Sequence, residues 1–345
     1  MYYNCKTNYG NCYGSRDPSF FVTNSIFEEN SGGQRGLFDL RCVGAVFENN
    51  KFINNWSTDT GLMFMFDTLL TIKNDEVKDQ RSYWGNSNAL YQISYTIFPY
   101  ELSSSGSSIR CVKCMIKDIK RSLSKNKPTI GKTIGVSSLI FENSKIFNVT
   151  TFPLFKAIEE SRIVFHDTSI YDITLIGNIG LIDAVTSSSI IFLNSEIYSI
   201  NFKRILDTAS FIKFSSSGTI VFNNTNVHDS NIDGNFMSIS SGGGENISLL
   251  IEGSNFKNIN VQTDNKRVCE DKMLNNYMTS CPGIIEIETN ISESMIDGCN
   301  FKNNTAGIGP ALTINNVEYV DLDIQNSKFI KNYGTLGGIF IISIY

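Results

Sequence analysis

The chain repeats itself. One apolar anchor recurs eleven times, as Phe27, Phe52, Val77, Ile116, Ile146, Ile170, Ile197, Val227, Phe256, Phe301 and Phe329, at intervals of 24 to 30 residues with two exceptions. A period of this size marks a solenoid, in which each repeat buries its apolar face against its neighbours and none is stable alone. Five residues before the anchors stand Val22, Phe47, Ile72, Cys111, Phe141, Phe165, Phe192, Phe222, Ile251, Ile296 and Ile324, all apolar. Two residues earlier again, only Ser294 breaks an apolar series that runs from Phe20 to Leu322. That alternation is the period of a strand with one inward face.

Three residues before the anchor the chain places Asn24, Asn49, Asn74, Asn143, Asn194, Asn224 and Asn326, with Asp167, Gly253, Gly298 and Lys113 in the remaining repeats. Asn, Asp and Gly tolerate a left-handed backbone, so a tight turn is expected there, with Lys113 out of character. The next residue is small or short throughout, from Ser25 through Cys114 to Ser327, as a crowded corner requires. A second segment follows each anchor, opening with Gly and an aliphatic pair as in Gly180-Leu181-Ile182 and Gly283-Ile284-Ile285. These features predict an all-β chain, a right-handed single-stranded parallel β-helix of about eleven coils. A leucine-rich repeat, a propeller and an α-solenoid fit the consensus less well, and a β-sandwich is the structural rival.

Residues 1–19 read as an N-terminal cap or a preceding coil and 20–345 as the β-helix. The two long intervals predict loop insertions near 80–106 and 262–282. Loops that leave a solenoid often carry binding. The first holds Tyr83, Trp84, Tyr91, Tyr95, Phe98 and Tyr100, which read as packing against the coil or as a sugar platform. Within the second, Asn265 to Met278 has roughly helical spacing. With 29 basic and 34 acidic residues spread without runs, no footprint for nucleic acid or an anionic membrane exists. No apolar stretch is long enough to span a bilayer.

The cysteines divide by position. Cys5 and Cys12 flank a polar segment and Cys269 and Cys281 flank the second insertion, so each pair is a disulfide candidate in an oxidising compartment. Cys111 and Cys114 spell C-x-x-C, but they fill the inward apolar slot and the small-corner slot, which makes them core thiols. Sequons place glycosylation candidates at Asn55, Asn148, Asn223, Asn246, Asn290 and Asn303.

Concentrated chemistry is absent. No cofactor motif and no metal-ligand spacing is present. Polysaccharide chemistry on a β-helix would need paired carboxylates on one face. The weak catalytic candidates are Asp183 and Asp207, expected on adjacent coils, and behind them Asp39 and Asp67, with Lys156 at a similar place on the coil between the pairs. The competing reading makes them solvated strand ends.

The stretches Phe27 to Asn30, Phe52 to Asn55, Phe301 to Asn304 and Phe329 to Asn332, the last followed by Gly337-Gly338-Ile339, resemble the repeats of polymorphic outer membrane proteins, the chlamydial-type autotransporter passengers. Elsewhere Ile119, Val149, Ile173, Ile200 or Ile259 replaces the Asn. The chain is also similar to large pectin-lyase-like surface proteins of unicellular eukaryotes. The resemblance implies a surface-exposed adhesive or structural rod with no catalytic residues to transfer. A non-enzymatic extracellular or cell-surface module, part of a larger tethered protein, is therefore the leading expectation, with glycans or other surface proteins as partners. A polysaccharide lyase or glycoside hydrolase of pectin-lyase fold is the alternative, and a carbohydrate-binding module the second.

Overall fold

A computed structural model describes residues 2–3, 18–32, 36–41, 44–57, 62–66, 68–78, 81–82, 91–94, 108–119, 130–151, 153–205, 209–215, 217–240, 247–262, 283–336 and 339–344. They fall into two compact units, Met1–Ser169 and Ile170–Tyr345, and every regular element in them is a strand. The two aromatic and cysteine-flanked insertions, and with them the helical spacing of 265–278, lie almost wholly outside the described residues.

In the first unit, strands from successive repeats pair in parallel to build three sheets. The leading sheet runs Pro18–Thr23, Gly44–Glu48, Leu69–Lys73, Ser108–Val112, Ser138–Glu142, Arg162–His166. The anchor sheet runs Ile26–Glu28, Lys51–Ile53, Glu76–Lys78, Met115–Lys117, Lys145–Thr151. The closing sheet, made by the second segments, includes Phe38–Arg41, Met63–Phe66, Gly131–Ile134 and Phe155–Ile158. The second unit repeats the plan, its closing sheet running Ile179–Val185, Ser210–Ser215, Asn235–Ser240, Ile285–Glu288, Leu312–Val317, Phe340–Ile344. The parallel β-helix expected from the repeat is the fold observed.

Register follows the motif slot by slot. Phe47 pairs with Ile72, Ile72 with Cys111 and Cys111 with Phe141, while Phe52 pairs with Val77 and Val77 with Ile116. Equivalent residues therefore stack about 4.8 Å apart along each sheet. In the core this brings like rings together: Phe192 and Phe222 stack at 4.8 Å, and Phe256 and Phe301 at 4.9 Å with planes 7° apart. Such pairs add roughly 0.5–1.5 kcal/mol each beyond the area they bury.

The turn position is left-handed in all eleven repeats, with φ between 46° and 61°, and this includes Lys113 at 56°. A second left-handed corner, two residues after the anchor in the ten repeats where that position is described, escaped the sequence reading. It is occupied by Glu29, Asn54, Asp118, Asn148, Asp172, Ser199, Asp229, Asn258, Asn303 and Lys331. Its mixed chemistry hid it, since only four of these are Asn. At both corners amides bridge coils, as where Asn74 Nδ2 donates to Asn49 Oδ1 at 3.1 Å and Asn258 Nδ2 to Asp229 Oδ1 at 2.7 Å.

The small-corner slot has a polar logic of its own. Its side chain accepts from a backbone N–H of the previous coil and donates to a carbonyl of that coil. Asn50 Oδ1 accepts from Ser25 N at 3.0 Å while Asn50 Nδ2 donates to Val22 O at 2.9 Å. Ser144 Oγ likewise accepts from Cys114 N and donates to Cys111 O. Ser254 does the same in the second unit, with Thr225 N and Phe222 O. Buried polar groups need such partners, and the slot supplies them on these coils. Cys111, Cys114 and Cys299 are buried free thiols, in keeping with core roles.

Asp75 is the exception in this slot. It accepts from Asn50 N at 2.7 Å, but an ionised carboxylate has nothing to donate to the next carbonyl, that of Phe47. Burial pushes its carboxyl up to about 6, against the bonds from Asn50 and with help from Glu48.

Candidate functional site

Alternation along the closing strands of the second unit points one set of side chains into the core and the other outward. Ile182, Ile212, Met237, Ile285 and Leu312 fill the core. The residues after them form an outer row, in which Asp183 pairs with Lys213, Lys213 with Ser238, Ser238 with Glu286 and Glu286 with Thr313. Two residues further along, Ser215, Ser240 and Glu288 belong to a second outer row.

This face is unlike a solvated sheet exterior. Glu286 is only 4% exposed, and Ser238 and Thr313 are buried with it. Asn235 holds the arrangement at its edge: Asn235 Nδ2 donates to Glu286 Oε2, and Asn235 Oδ1 accepts from Gly283 N at 2.8 Å. Gly283 is where the chain rejoins the sheet after the insertion, so one amide fixes both the carboxyl and the strand entrance.

Three side-chain atoms on this face, Ser215 Oγ, Glu286 Oε1 and Thr313 Oγ1, are buried and have no hydrogen-bond partner among the described residues. Leaving a polar atom in that state costs roughly 1–3 kcal/mol, so several on one face signal a place where water or a ligand supplies the missing bonds. Burial pushes the Glu286 carboxyl up to about 8, Glu288 adds to the rise and the Asn235 bond opposes it. Glu286 is accordingly a neutral acid at pH 7, able to donate as well as accept. The Glu288 carboxyl is also raised by burial, with Lys213 pulling the other way. A neutral carboxyl, a second carboxylate and an ammonium thus lie on one surface.

The sequence candidates fare unevenly. Asp183 lies on the outer row, but register sets Lys213 opposite it. Asp207 precedes the Ser210–Ser215 strand and is outside the described residues, as is Asp67. In the first unit Asp39 is buried and pairs with Phe64, while Lys156 pairs with Lys132. Cys5, Cys12, Cys269, Cys281 and Asn246 are outside the described residues. Of the sequons, Asn148 and Asn303 are exposed, while Asn223 Nδ2 is bound to Glu252 and Asn290 Oδ1 accepts from the Glu318 and Tyr319 amides. Asn55 is fully buried and its amide donates to Phe27 O at 2.8 Å, which leaves no room for a glycan on the folded chain. Among the described residues no cluster could hold a metal ion, and no helix is long and apolar enough to cross a membrane.

Glu286, Glu288 and Lys213 were missed. The signal was present: in Ile285-Glu286-Ile287-Glu288 the aliphatic residues alternate with carboxylates, which sets both acids on the outer face once the strand is recognised.

No protein-family model matches the chain, and no curated protein sequence does. Among solved structures it is similar to the A-module of mannuronan C-5 epimerase AlgE4 from Azotobacter vinelandii, at 8% identity and a TM-score of 0.41 over 94% of this chain and 91% of that one. The A-module of AlgE6 from the same organism gives 8% and 0.38 over 95% and 91%. A PL6 alginate lyase, solved in complex with a trisaccharide, gives 8% and 0.28 over 94% and 83%. Likeness this distant transfers no chemistry, and the fold rests on the register of the chain's own strands.

Proposed function

We propose that this chain is an extracellular or cell-surface glycan-binding module that uses the outer face of the closing sheet in the second unit, in an adhesive role. The observation that carries the reading is the group of buried polar atoms without a partner among the described residues, Ser215 Oγ, Glu286 Oε1 and Thr313 Oγ1, on one outer face. A polyhydroxylated ligand offers donors and acceptors in such a repeating array, whereas an apolar ligand would leave these atoms orphaned. A glycan array probed with the intact chain tests it: retention of defined glycans, weakened at least tenfold by Lys213→Ala with Glu288→Ala, supports the reading. Retention of no glycan above background refutes it.

A second reading, a polysaccharide lyase or glycoside hydrolase, draws on one specific observation. Glu286 and Glu288 lie two positions apart on one strand face, and their environments favour a proton on Glu286, the arrangement an acid and base pair requires. Release of reducing or unsaturated ends from pectin or polygalacturonate, abolished by Glu286→Gln, would establish it. The absence of any product would dismiss it.

A further inference from the structure

Glu286 is held in an uncommon way. Of its two carboxyl oxygens, Oε2 is committed to the Asn235 amide, while Oε1 is buried and has no partner among the described residues. On the neighbouring strand the residue paired with it is Thr313, whose Oγ1 is orphaned in the same manner. A carboxylate already receiving one bond has no need of a proton, but a carboxyl facing an unfilled hydrogen-bond position can place one there.

We propose that Glu286 enters the complex as a neutral carboxyl whose Oε1 hydroxyl donates to a ligand oxygen, with Thr313 Oγ1 completing the contact. The surface then recognises its ligand through a donor that alkaline conditions remove. This rests on the glycan-binding reading and adds the atom that confers specificity and the proton that regulates it. The ligand class is a polyhydroxylated sugar chain presenting an acceptor oxygen, a ring, glycosidic or hydroxyl oxygen, at that point.

The groups around Glu286 make the behaviour specific to it. Glu288, on its own strand, is the nearby carboxyl, and its charge favours retention of the Glu286 proton. Lys213, from the Ser210–Ser215 strand, acts on Glu288, whose carboxyl it pulls down. Asp183 follows two coils beyond Ser238. The two flanking strands, Asn235–Ser240 and Leu312–Val317, bring no charged side chain. Ionisation of Glu286 exchanges a donor for a buried charge facing a sugar oxygen, so binding is lost as the pH rises through its value of about 8.

Oligogalacturonate and cello-oligosaccharide serve as the acidic and neutral probes, with affinity to the intact chain measured by calorimetry from about pH 6.5 to about pH 9.5, a window centred on the Glu286 transition. The expected result is a constant affinity at the acid end and a loss that approaches tenfold per pH unit above the transition. Glu286→Gln, which keeps a fixed Nε2 donor, should bind with no such dependence, and Thr313→Val should bind more weakly at every pH. Melting temperatures of both variants at the acid end control for folding. Wild-type binding that stays flat across the range, or a Glu286→Gln profile that titrates like wild type, overturns the proposal while leaving glycan binding in place. So does an ordered water only, recognised by Glu286→Gln and Thr313→Val both binding as wild type does. Failure of both probes and of the array to bind at any pH refutes the glycan-binding reading itself, and this inference falls with it.

Discussion

Replacing Asp75 by Asn should stabilise the protein, and only above a defined pH. In its slot the side chain must accept from a backbone N–H and donate to a carbonyl, as Asn50 does through Oδ1 and Nδ2. Asp75 supplies the acceptor alone once ionised, and burial raises its carboxyl from 3.8 to about 6. A carboxyl whose native value exceeds its unfolded one binds its proton more tightly in the folded state. Stability is therefore unaffected below about pH 4 and falls as the pH rises to about 6, by about 2 units at 1.36 kcal/mol each, or about 3 kcal/mol. Asn removes the titration and provides the proton for Phe47 O. For a unit of this size roughly 2–4 °C accompanies each kcal/mol, so the variant should melt about 6–12 °C above wild type at neutral pH and level with it near pH 4. Scanning calorimetry of both proteins across that range is the assay. An Asp75→Asn protein that is less stable at neutral pH, or that keeps the wild-type pH dependence, would show that the slot does not require a donor.

Further outcomes are expected elsewhere in the coils. Lys113 occupies a left-handed position at φ 56°, between Asn74 and Asn143 in the neighbouring coils, so Lys113→Asn should relieve strain and raise stability by about 0.5–1 kcal/mol in urea unfolding; a loss would refute the strain argument. Phe301 stacks at 4.9 Å on Phe256 and at 5.1 Å on Phe329, and Phe301→Ala should cost about 3–5 kcal/mol in the same measurement, a cost below 1 kcal/mol contradicting the packing described. In a glycosylating host, peptide mass spectrometry should find Asn55 unmodified, since its amide is buried and bonded to Phe27 O, while exposed Asn303 is open to modification; a glycan on Asn55 would contradict its placement.

The sequence disclosed those parts of the fold that depend on one residue type. Left-handed backbone at Asn24 or Asn49 and inward alternation at Phe47 or Phe52 each follow from a property of the residue itself, so a repeat of residue types translates directly into register. The second corner was hidden because Glu29, Ser199 and Lys331 are not residues chosen for a left-handed backbone; coil geometry holds them there against their preference. The candidate site was hidden for another reason. Glu286 is ordinary as a letter: its neutrality arises chiefly from burial, and the amide that holds its carboxyl comes from Asn235, 51 positions away, neither of which any local pattern encodes. Asp183 was legible as a strand-end carboxylate, but its neighbour was not, because the length of the loop before Ser210 determines which residue register sets beside it.

The link between leading and anchor strands never changes length. From the inward slot at Val22, Phe47 or Phe222 to the anchor at Phe27, Phe52 or Val227 is five residues in every coil, and all large length variation lies in the two other connections. The left-handed corner and its amide bridges work as a rigid hinge pin that a single inserted residue would misalign, turning every following side chain to the wrong face. The passages into and out of the closing sheet have no such constraint. They are the natural grafting ports of this scaffold, where a foreign peptide can be spliced in and displayed without disturbing the coils on either side.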